Sequence, residues 1–343
     1  MIEGDTMVLS EKVNNAINEH LKISDNYCIS IGVISKDKTD YYNITSKGID
    51  KNIYSFDIGS ISKLFTAHLV MKCVEEGVIC LDDTVDKYIE LKPKAYPTIR
   101  ELLSHCSGFN FLSPLQITIP SYLTRRHCKR NISEDVTISD VKKILNRKKY
   151  KNKKTYSYSD FNYAILGVAL SNVLNKTIEE LLIDFIKNDL KLQDTNISYN
   201  IDKNLCGYIK NRKIKSWEWN KENPYIAAGG ITTTVDDMLK FISIQINSNS
   251  NYIKNCHIPQ DYKSMTNVRP CLGWHTYKKS NQLWHVGGVG TFRSSIIINK
   301  TKRVGIIVLG NGRGKNKANV HYICKLIYGE IKRNKIKFVI GLF

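Results

Sequence analysis

Ser60 and Lys63, three residues apart, are the two side chains in this sequence best suited to covalent chemistry. A serine hydroxyl is a weak nucleophile at neutral pH, so it needs a neighbouring base when it attacks a carbonyl group. Residues i and i+3 of a helix share one face and lie about 5–6 Å apart at Cβ, so the lysine amine can reach the serine oxygen. The spacing predicts an activated serine at a helix N-terminus, where free backbone N–H groups could also bind an oxyanion.

The residues around this pair have the pattern of a helix. Gly59 marks a tight entry, and apolar residues then recur on one face from Leu64 to Val78, with Gly77 weakening the end. A four-residue pattern with two defined positions also occurs often by chance, so the pair alone predicts little. Two later segments of the chain strengthen the interpretation.

Tyr158 and Asp160 form the first of these segments, just before an apolar helical run from Ala164 to Leu174. Tyr158 could instead be a packed aromatic residue, since the chain contains 19 tyrosines. Asp160 could cap a helix that begins near Phe161, which is a common use of aspartate. The order of the three elements along the chain favours a functional role for both side chains.

The second segment, WHVGGVGTFR at residues 284–293, contains His285, Gly287 and Gly288 and leads into an alternating strand at 294–298. Glycine allows a backbone to approach a ligand closely. His285 could also be a buried strand histidine whose ring nitrogens are satisfied. We interpret the segment as a wall of a ligand-binding cleft.

In chain order, these segments resemble the SxxK, YxN and KTG/HxG signatures of the serine β-lactamase and penicillin-binding protein superfamily. The similarity is to its class C-like branch of esterases, D-amino-acid peptidases and β-lactamases. Residues 97–109 (PTIRELLSHCSGF) and 227–238 (AAGGITTTVDDM) also resemble stretches of that branch, and the resemblance extends from about Asn15 to the C-terminal helix. It implies an α+β, β-lactamase/transpeptidase-like fold with an antiparallel sheet, flanking helices and an inserted, mostly helical lobe.

The resemblance also implies a role for each residue of the motifs. Ser60 would be the acylated nucleophile, and Lys63 would lower the cost of its deprotonation. Tyr158 would be the second basic group, which requires its pKa to be depressed by Lys63. The backbone N–H groups of Ser60 and Gly288 would form the oxyanion hole. His285 would replace the family's lysine and orient Tyr158 or bind a substrate carboxylate or carbonyl, beside Gly287 in the substrate-binding strand.

Two departures from the family pattern bear on the substrate. Asp160 replaces an asparagine, and because a carboxylate only accepts hydrogen bonds, it favours a substrate amide N–H or amine over a carbonyl. His285 replaces a constant positive charge with a titratable group that is often neutral. Both changes favour ester or peptide hydrolysis.

Three functions are therefore open. The first is a serine hydrolase that cleaves an ester or peptide-like amide through an acyl-Ser60 intermediate, with no metal or other cofactor. The second is a penicillin-binding D,D-peptidase or class C-like β-lactamase. The third is a catalytically idle relative that serves as a binding or scaffold module. Specificity would come from loops at residues 109–137 and 203–223, where Trp217 and Trp219 could line the pocket or cap the core.

The length of 343 residues is enough for two lobes around a large core. We expect one β-lactamase-like domain over residues 1–343, with an α/β lobe at about 8–55 and 216–343 and a helical lobe at about 56–215. Strands are expected at 28–34, 39–43, 283–285, 293–299 and 303–310, in a sheet that carries both termini. The active site would lie in the cleft between the lobes.

The chain is strongly basic, with a formal net charge of +19. The run KKILNRKKYKNKK at residues 142–154 holds eight basic residues and no acid, and a second basic cluster spans 313–337. Such clusters can attract an anionic surface or polymer, although a solvated surface is the simpler interpretation. No nucleic-acid-binding motif accompanies the charge, so no nucleic-acid partner is expected.

Residues 1–10 have no apolar signal-peptide core, and no apolar run reaches the ~18 residues that a membrane span needs. The apolar residues 338–343 are expected to pack on the sheet. The nine cysteines have no metal or disulfide spacing, and Cys73 and Cys80 are expected on one helix face. These features together predict a reduced, cytoplasmic protein without a transmembrane segment.

Overall fold

An antiparallel sheet organises the molecule. The computed structural model describes residues 5–36, 38–50, 52, 54–109, 131, 133–150, 154–197, 206–214, 216–333 and 337–340. Within these residues the main sheet has the strand order Val268–Pro270, His275–Tyr277, Leu283–Val289, Phe292–Asn299, Val304–Gly310, Cys28–Ser35, Lys38–Thr45 and Gly48–Asp50. All neighbouring strands pair antiparallel. The α+β fold and the five expected strands are confirmed, with slightly different ends.

The central strands are buried because helices cover both faces of the sheet. Strand Val304–Gly310 is buried along its whole length, which explains why its sequence is apolar without alternation. Helices Glu11–Leu21 and Val320–Lys332 pack on one face, and helix Val235–Asn247 packs on the other. Gly32 permits the close packing of helix Val235–Asn247, since a Cβ at position 32 would lie 2.9 Å from side chains of that helix.

A group of mostly buried helices carries the first two motifs. The further helices are Ser62–Glu75, Ile99–Leu103, Ile138–Arg147, Asp160–Leu174, Ile178–Asp184, Ile226–Gly229 and Asn251–Cys256, with helical turns at Gly59–Ile61, Val85–Lys87, Phe185–Asp189 and Asn316–Ala318. Helices Ser62–Glu75 and Asp160–Leu174 contact each other and are buried over most of their length. Polar side chains between them must therefore find partners inside the protein.

Three smaller strand groups complete the fold. Strand Ile231–Thr233 pairs with both Phe56–Asp57 and Asn196–Ile197, and Gly207–Ile209 forms a hairpin with Arg212–Ile214. The expectation that the main sheet carries both termini is wrong. Strands Asp5–Val8 and Lys337–Ile340 pair with each other in a separate sheet. The adjacent helices Glu11–Leu21 and Val320–Lys332 pack together and bring these two segments side by side.

Two further expectations can be compared with the fold. Cys73 and Cys80 do not share a helix face, because the helix ends at Glu75 and Gly77 turns the chain with a φ of +74°. Cys73 is buried whereas Cys80 is exposed. Among the described residues, no helix is both long and apolar enough to cross a membrane. The lobe boundaries stay a prediction, and Lys215, at one of them, lies outside the described residues.

Candidate active site

Ser60 lies in the helical turn Gly59–Ile61, directly before helix Ser62–Glu75. It was expected in the first turn of the α-helix. The structure places it in the short helical turn that directly precedes that helix. The i, i+3 geometry nevertheless holds, since Lys63 Nζ lies 3.0 Å from Ser60 Oγ. Gly59 has a φ of +52°, a backbone conformation that favours glycine and turns the chain sharply into the helix.

Lys63 is completely buried, donates hydrogen bonds to two acceptors and forms an ion pair with a third oxygen. Its Nζ lies 3.0 Å from Ser60 Oγ, 2.7 Å from the Ala228 carbonyl oxygen and 2.6 Å from Asp160 Oδ1. An ammonium group has three N–H donors and no acceptor, so this set of partners matches the charged form. Burial lowers the pKa of Lys63, and the negative charge of Asp160 opposes that effect.

Tyr158 completes the cluster around Ser60. It lines the same cavity as Ser60, and Lys63 Nζ lies 5.2 Å from the centre of its ring. Burial, together with the nearby Asp160 charge, raises the pKa of Tyr158 well above its ordinary value. The expectation that Lys63 depresses this pKa is therefore wrong in direction, because desolvation and the Asp160 carboxylate both disfavour a phenolate.

Asp160 contacts Lys63 rather than capping its own helix. The N-cap of helix Asp160–Leu174 is Ser159, and no side-chain cap bond is made there. Asp160 Oδ1 instead forms an ion pair with Lys63 Nζ at 2.6 Å. Its expected role as an acceptor for a substrate N–H stays a prediction, since the Asp160 side chain is 23% exposed and a carboxylate can accept several hydrogen bonds.

Strand Leu283–Val289 runs beside the serine turn at van der Waals distance. A Cβ on Gly287 would lie 1.9 Å from the Ile58 carbonyl oxygen, so only glycine fits there. A Cβ on Gly59 would likewise lie 2.7 Å from the Gly288 nitrogen. The strand thus brings Gly288 against the turn that carries Ser60, an arrangement compatible with the predicted oxyanion hole.

His285 is buried on the same strand and takes a defined tautomer. Its Nδ1 lies 2.9 Å from the Val286 carbonyl oxygen, which can only accept, so Nδ1 carries the proton. Burial holds the pKa of His285 well below its ordinary value, so the ring is neutral and Nε2 is a bare acceptor. Nε2 has no hydrogen-bond partner in the described residues. It cannot donate to a substrate carboxylate or carbonyl, contrary to expectation.

A family model described as Beta-lactamase matches residues 55–322 of this chain. The chain belongs to the beta-lactamase family. It is 25% identical over 309 residues to Protein flp of Staphylococcus aureus (strain MW2), covering 84% of this chain and 57% of that protein. The chain thus spans little more than half the length of the curated relatives it matches.

Solved structures of the family have the same fold. A class C beta lactamase from Rhodobacter sphaeroides superposes with a TM-score of 0.76 at 18% identity, covering 94% of this chain and 100% of the other. A beta-lactamase/D-alanine carboxypeptidase from Pseudomonas syringae gives a TM-score of 0.75 at 17% identity, covering 94% and 98%. The beta-lactamase/transpeptidase-like architecture is therefore shown, together with membership of the serine beta-lactamase and penicillin-binding protein superfamily.

A layer of histidine and tyrosine rings behind Tyr158 was missed by the sequence analysis. The His105 ring lies 4.3 Å from the Tyr158 ring, and its Nδ1 accepts the Ser159 N–H at 3.1 Å. His275 Nε2 lies 2.7 Å from the Tyr156 hydroxyl. His105 lies within residues 97–109, which resemble the family, so the sequence contained a motif that pointed to it. No motif in the sequence included His275. Within the described residues, no group of histidine, cysteine or carboxylate side chains could hold a metal ion.

Seven histidines of the described residues are buried or partly buried, and burial lowers the pKa of each below its ordinary value of 6.5. They are His20, His68, His105, His257, His275, His285 and His321. For His68, His275 and His321 the pKa falls to about 4. Between pH 4 and 6.5 the unfolded chain therefore binds more protons than the folded chain.

We expect the free energy of unfolding to be largest above pH 6.5 and to fall as the pH decreases toward 4. Each such histidine contributes about 1.4 kcal/mol per pH unit to the slope of the free energy of unfolding against pH. Urea denaturation at pH 7, 6 and 5 measures it. His321→Gln keeps a polar side chain beside Ser295 and should reduce the slope by one histidine's share. A stability that does not change between pH 7 and 5 would contradict the prediction.

An open cavity of about 520 Å³ begins at Ser60 and continues along strand Leu283–Val289 to the start of helix Val320–Lys332. Tyr158 and His285 line it near the serine, and Trp284, Val286 and Val320 line its far end. Asn319 and His321 also line the far end, where Trp284, Val286 and Val320 supply apolar surface. This arrangement is typical of small-molecule sites.

The expected specificity loops contribute little to the described part of the cavity. Residues 110–130, 132, 203–205 and 215 lie outside the described residues. Trp219 is buried in the core, and Trp217 packs against it and lies close to Gly290. Neither tryptophan lines the cavity, and neither do the described residues of the basic run 142–154.

Proposed function

We propose that this chain is a serine hydrolase that cleaves an ester or a peptide-like amide through an acyl-Ser60 intermediate. The observation that carries the proposal is the position of Ser60 Oγ. It lies 3.0 Å from Lys63 Nζ, and Ser60 lines the cavity together with Tyr158 and Gly288. The beta-lactamases and the D-alanine carboxypeptidase among the family's solved structures are serine hydrolases, which supports the reaction class.

The reaction has two halves. In the first, Ser60 Oγ attacks the substrate carbonyl carbon, and the backbone N–H groups of Ser60 and Gly288 stabilise the oxyanion. Tyr158 relays the serine proton, since its oxygen takes the proton from Ser60 as its own proton passes to the leaving group. In the second half, water attacks the acyl-Ser60 carbonyl and the same groups act in reverse.

Direct capture of the intermediate tests the proposal. The protein is incubated with p-nitrophenyl acetate, quenched in acid and measured by intact-protein mass spectrometry. We expect one acetyl group, which peptide mapping assigns to Ser60, and a burst of p-nitrophenol of equal amount. An adduct on another residue, or no adduct at all, would refute the acyl-Ser60 mechanism.

A D,D-peptidase or class C-like β-lactamase is the second candidate. The similar solved structures favour it, since they are of a class C beta lactamase and a beta-lactamase/D-alanine carboxypeptidase. The neutral, acceptor-only His285 weighs against it, because it supplies no cation for a substrate carboxylate. A lasting benzylpenicillin adduct on Ser60, without an acetyl adduct, would reverse this order. Absence of both adducts would favour the catalytically idle alternative.

The apolar end of the cavity leads to a prediction about substrate size. Trp284, Val286 and Val320 can cover an extended acyl chain, and each methylene that they bury contributes about 0.8 kcal/mol, or about fourfold in kcat/KM. We expect kcat/KM for p-nitrophenyl esters to rise from acetate to hexanoate. Measuring the series with and without Val286→Asn checks this.

Val286→Asn should flatten the chain-length dependence and leave acetate hydrolysis unchanged, because acetate does not reach this side chain. Val78→Asn is a matched control, since Val78 is similarly exposed, at 39% against 36% for Val286, and does not line the cavity. Equal rates for acetate and hexanoate in the wild type would contradict the prediction.

A partner for the basic surface remains a proposal of its own. The basic run 142–154 begins inside helix Ile138–Arg147, and its described residues do not line the cavity. An anionic surface or polymer bound to this run would therefore lie away from Ser60. If this chain is part of a protein as long as Protein flp, the activity and partners of that whole protein are also predictions. The cytoplasmic location of this chain likewise stays a prediction.

A further inference from the structure

Arg293 lines the cavity, and the reaction described above does not use it. It stands on strand Phe292–Asn299, opposite Gly288 of strand Leu283–Val289, in the cavity that begins at Ser60. Of the described residues that line this cavity, Arg293 alone carries a permanent charge, and none carries a carboxylate. The cavity wall therefore presents one positive charge to a bound molecule.

The strand partners of Arg293 leave room for its side chain to lie across the sheet. Arg293 pairs with Gly288 on one side and with Gly310 on the other, so neither neighbouring residue carries a side chain. A Cβ on Gly288 would lie 3.2 Å from Arg293 Nη1, which is tighter than an ordinary contact. The guanidinium group thus lies over Gly288, whose nitrogen meets the turn that carries Ser60.

Backbone carbonyl groups orient this guanidinium. Its Nη1 donates to the Gly290 carbonyl oxygen at 3.4 Å and also to the Phe292 carbonyl oxygen. Both acceptors are uncharged, so these two bonds orient the group without neutralising it. Arg313 Nη2 donates to the same Gly290 oxygen at 3.2 Å. Two guanidinium groups therefore meet at one backbone oxygen beside the cavity, and a bound anion would offset the repulsion between them.

The alternation of side chains along the strand relates Arg293 to one part of the substrate. Val286 and Gly288 are two residues apart on one strand and share a face of the sheet. Arg293, directly opposite Gly288, lies on that same face. Val286 belongs to the surface along which the acyl chain of the substrate is proposed to lie. The positive charge therefore stands beside the acyl part of the substrate.

We propose that Arg293 determines specificity by binding an anionic group on the acyl part of the substrate, an inference that rests on the proposed acyl-Ser60 reaction. A carboxylate suits this role, because its two oxygens match the planar fork of a guanidinium group. Hydrogen bonds between two charged groups are also stronger than those between neutral ones. The favoured substrates are then esters or amides whose acyl group carries a carboxylate.

A purely structural role for Arg293 makes a different prediction. If it only braced the turn between the two strands through Gly290 and Phe292, its loss would lower stability and slow every ester by the same factor. A role in specificity instead changes the ratio between anionic and neutral substrates of equal size. The experiment therefore measures that ratio.

The test compares p-nitrophenyl 3-carboxybenzoate and 4-carboxybenzoate with the corresponding methylbenzoates. The paired esters have the same shape, and the rigid ring prevents the carboxylate from attacking its own ester. Each kcat/KM is divided by the rate constant for hydrolysis by hydroxide ion, which corrects for intrinsic reactivity. We expect the wild type to prefer at least one carboxybenzoate by about 10-fold or more, as for hydrogen bonds to charged groups.

Arg293→Met should reduce this ratio to about one, and Arg293→Lys should retain part of it, because it keeps the charge but not the fork. Arg269→Met is the matched control. Arg269 is a half-buried arginine on strand Val268–Pro270 of the same sheet, and it does not line the cavity. We expect this control to keep the wild-type ratio. Added salt should lower the wild-type ratio, since it screens a partly exposed cation.

Three results would overturn the proposal. The first is a wild type that hydrolyses both members of each pair equally, a measurement that needs no variant and so is unaffected if Arg293→Met fails to fold. The second is a folded Arg293→Met variant that keeps the preference. The third is a preference found only when the carboxylate is placed on the nitrophenyl ring of p-nitrophenyl acetate, which would assign Arg293 to the leaving group.

The acetyl adduct on Ser60 separates this proposal from the reaction on which it rests. Any of the three results, obtained with that adduct present, would refute only the specificity role of Arg293. Absence of the adduct would instead refute the acyl-Ser60 reaction itself.

Discussion

Replacing Ser60 with alanine is expected to lower kcat/KM for a p-nitrophenyl ester by about 10⁴-fold or more and to abolish the burst, because the atom that forms the acyl bond is removed. The fold should remain intact, since Ser60 lies in a turn at the cavity surface rather than in the core. Stopped-flow release of p-nitrophenol measures both quantities.

Ser62→Ala is the control for this substitution. Ser62 lies two residues further along, and its buried hydroxyl accepts the Ile231 N–H at 3.1 Å. Its loss leaves that donor unpaired and should cost about 1–3 kcal/mol of stability while sparing the burst. Turnover that survives Ser60→Ala but is lost in Ser62→Ala would contradict the assignment of the nucleophile.

Replacing Lys63 with methionine is expected to lower kcat/KM by about 10³-fold or more, because residues that act as a unit around a nucleophile lose most of the rate together. Methionine retains much of the apolar stem but cannot donate to Ser60 Oγ. The variant also leaves the Asp160 carboxylate unpaired, which should lower the free energy of unfolding by about 3 kcal/mol. Ester kinetics and urea denaturation measure the two effects.

The double variant Lys63→Met/Asp160→Asn separates activity from stability. Both charges are removed together, so the desolvation cost of the pair disappears and stability should recover to the wild-type value or above it. Activity should stay at the level of the Lys63→Met variant. A double variant that regains activity, or a Lys63→Met variant as stable as the wild type, would show that the ion pair does not have the role assigned to it.

These variants bear on a general property of the site. A fully buried lysine, a neutral, half-buried tyrosine and a buried histidine surround one serine, and each loses hydration in the folded protein at a cost in free energy. Only the hydrogen bonds among them and with the backbone offset that cost. We therefore expect stability gains from apolar substitutions here to come with lost activity.

Much of the fold followed from local patterns in the sequence. Alternating and apolar runs indicated strands Cys28–Ser35, Phe292–Asn299 and Val304–Gly310, because side-chain alternation depends only on the two-residue repeat of a strand. The pairing of Asp5–Val8 with Lys337–Ile340 was not foreseen. That pairing depends on how two distant helices pack side by side, which no short window of sequence reports.

For the site, the sequence by itself determined that Lys63 reaches Ser60, since the i, i+3 spacing is a property of any helical turn. It also indicated a tyrosine, a carboxylate and a glycine-containing strand as partners. Tertiary structure alone decided that Asp160 pairs with Lys63, that the pKa of Tyr158 is raised, and that His285 is a neutral acceptor. The physical reason is that proton positions depend on burial and on which charged groups the fold brings together, such as Lys63 and Asp160, and only the folded chain supplies both.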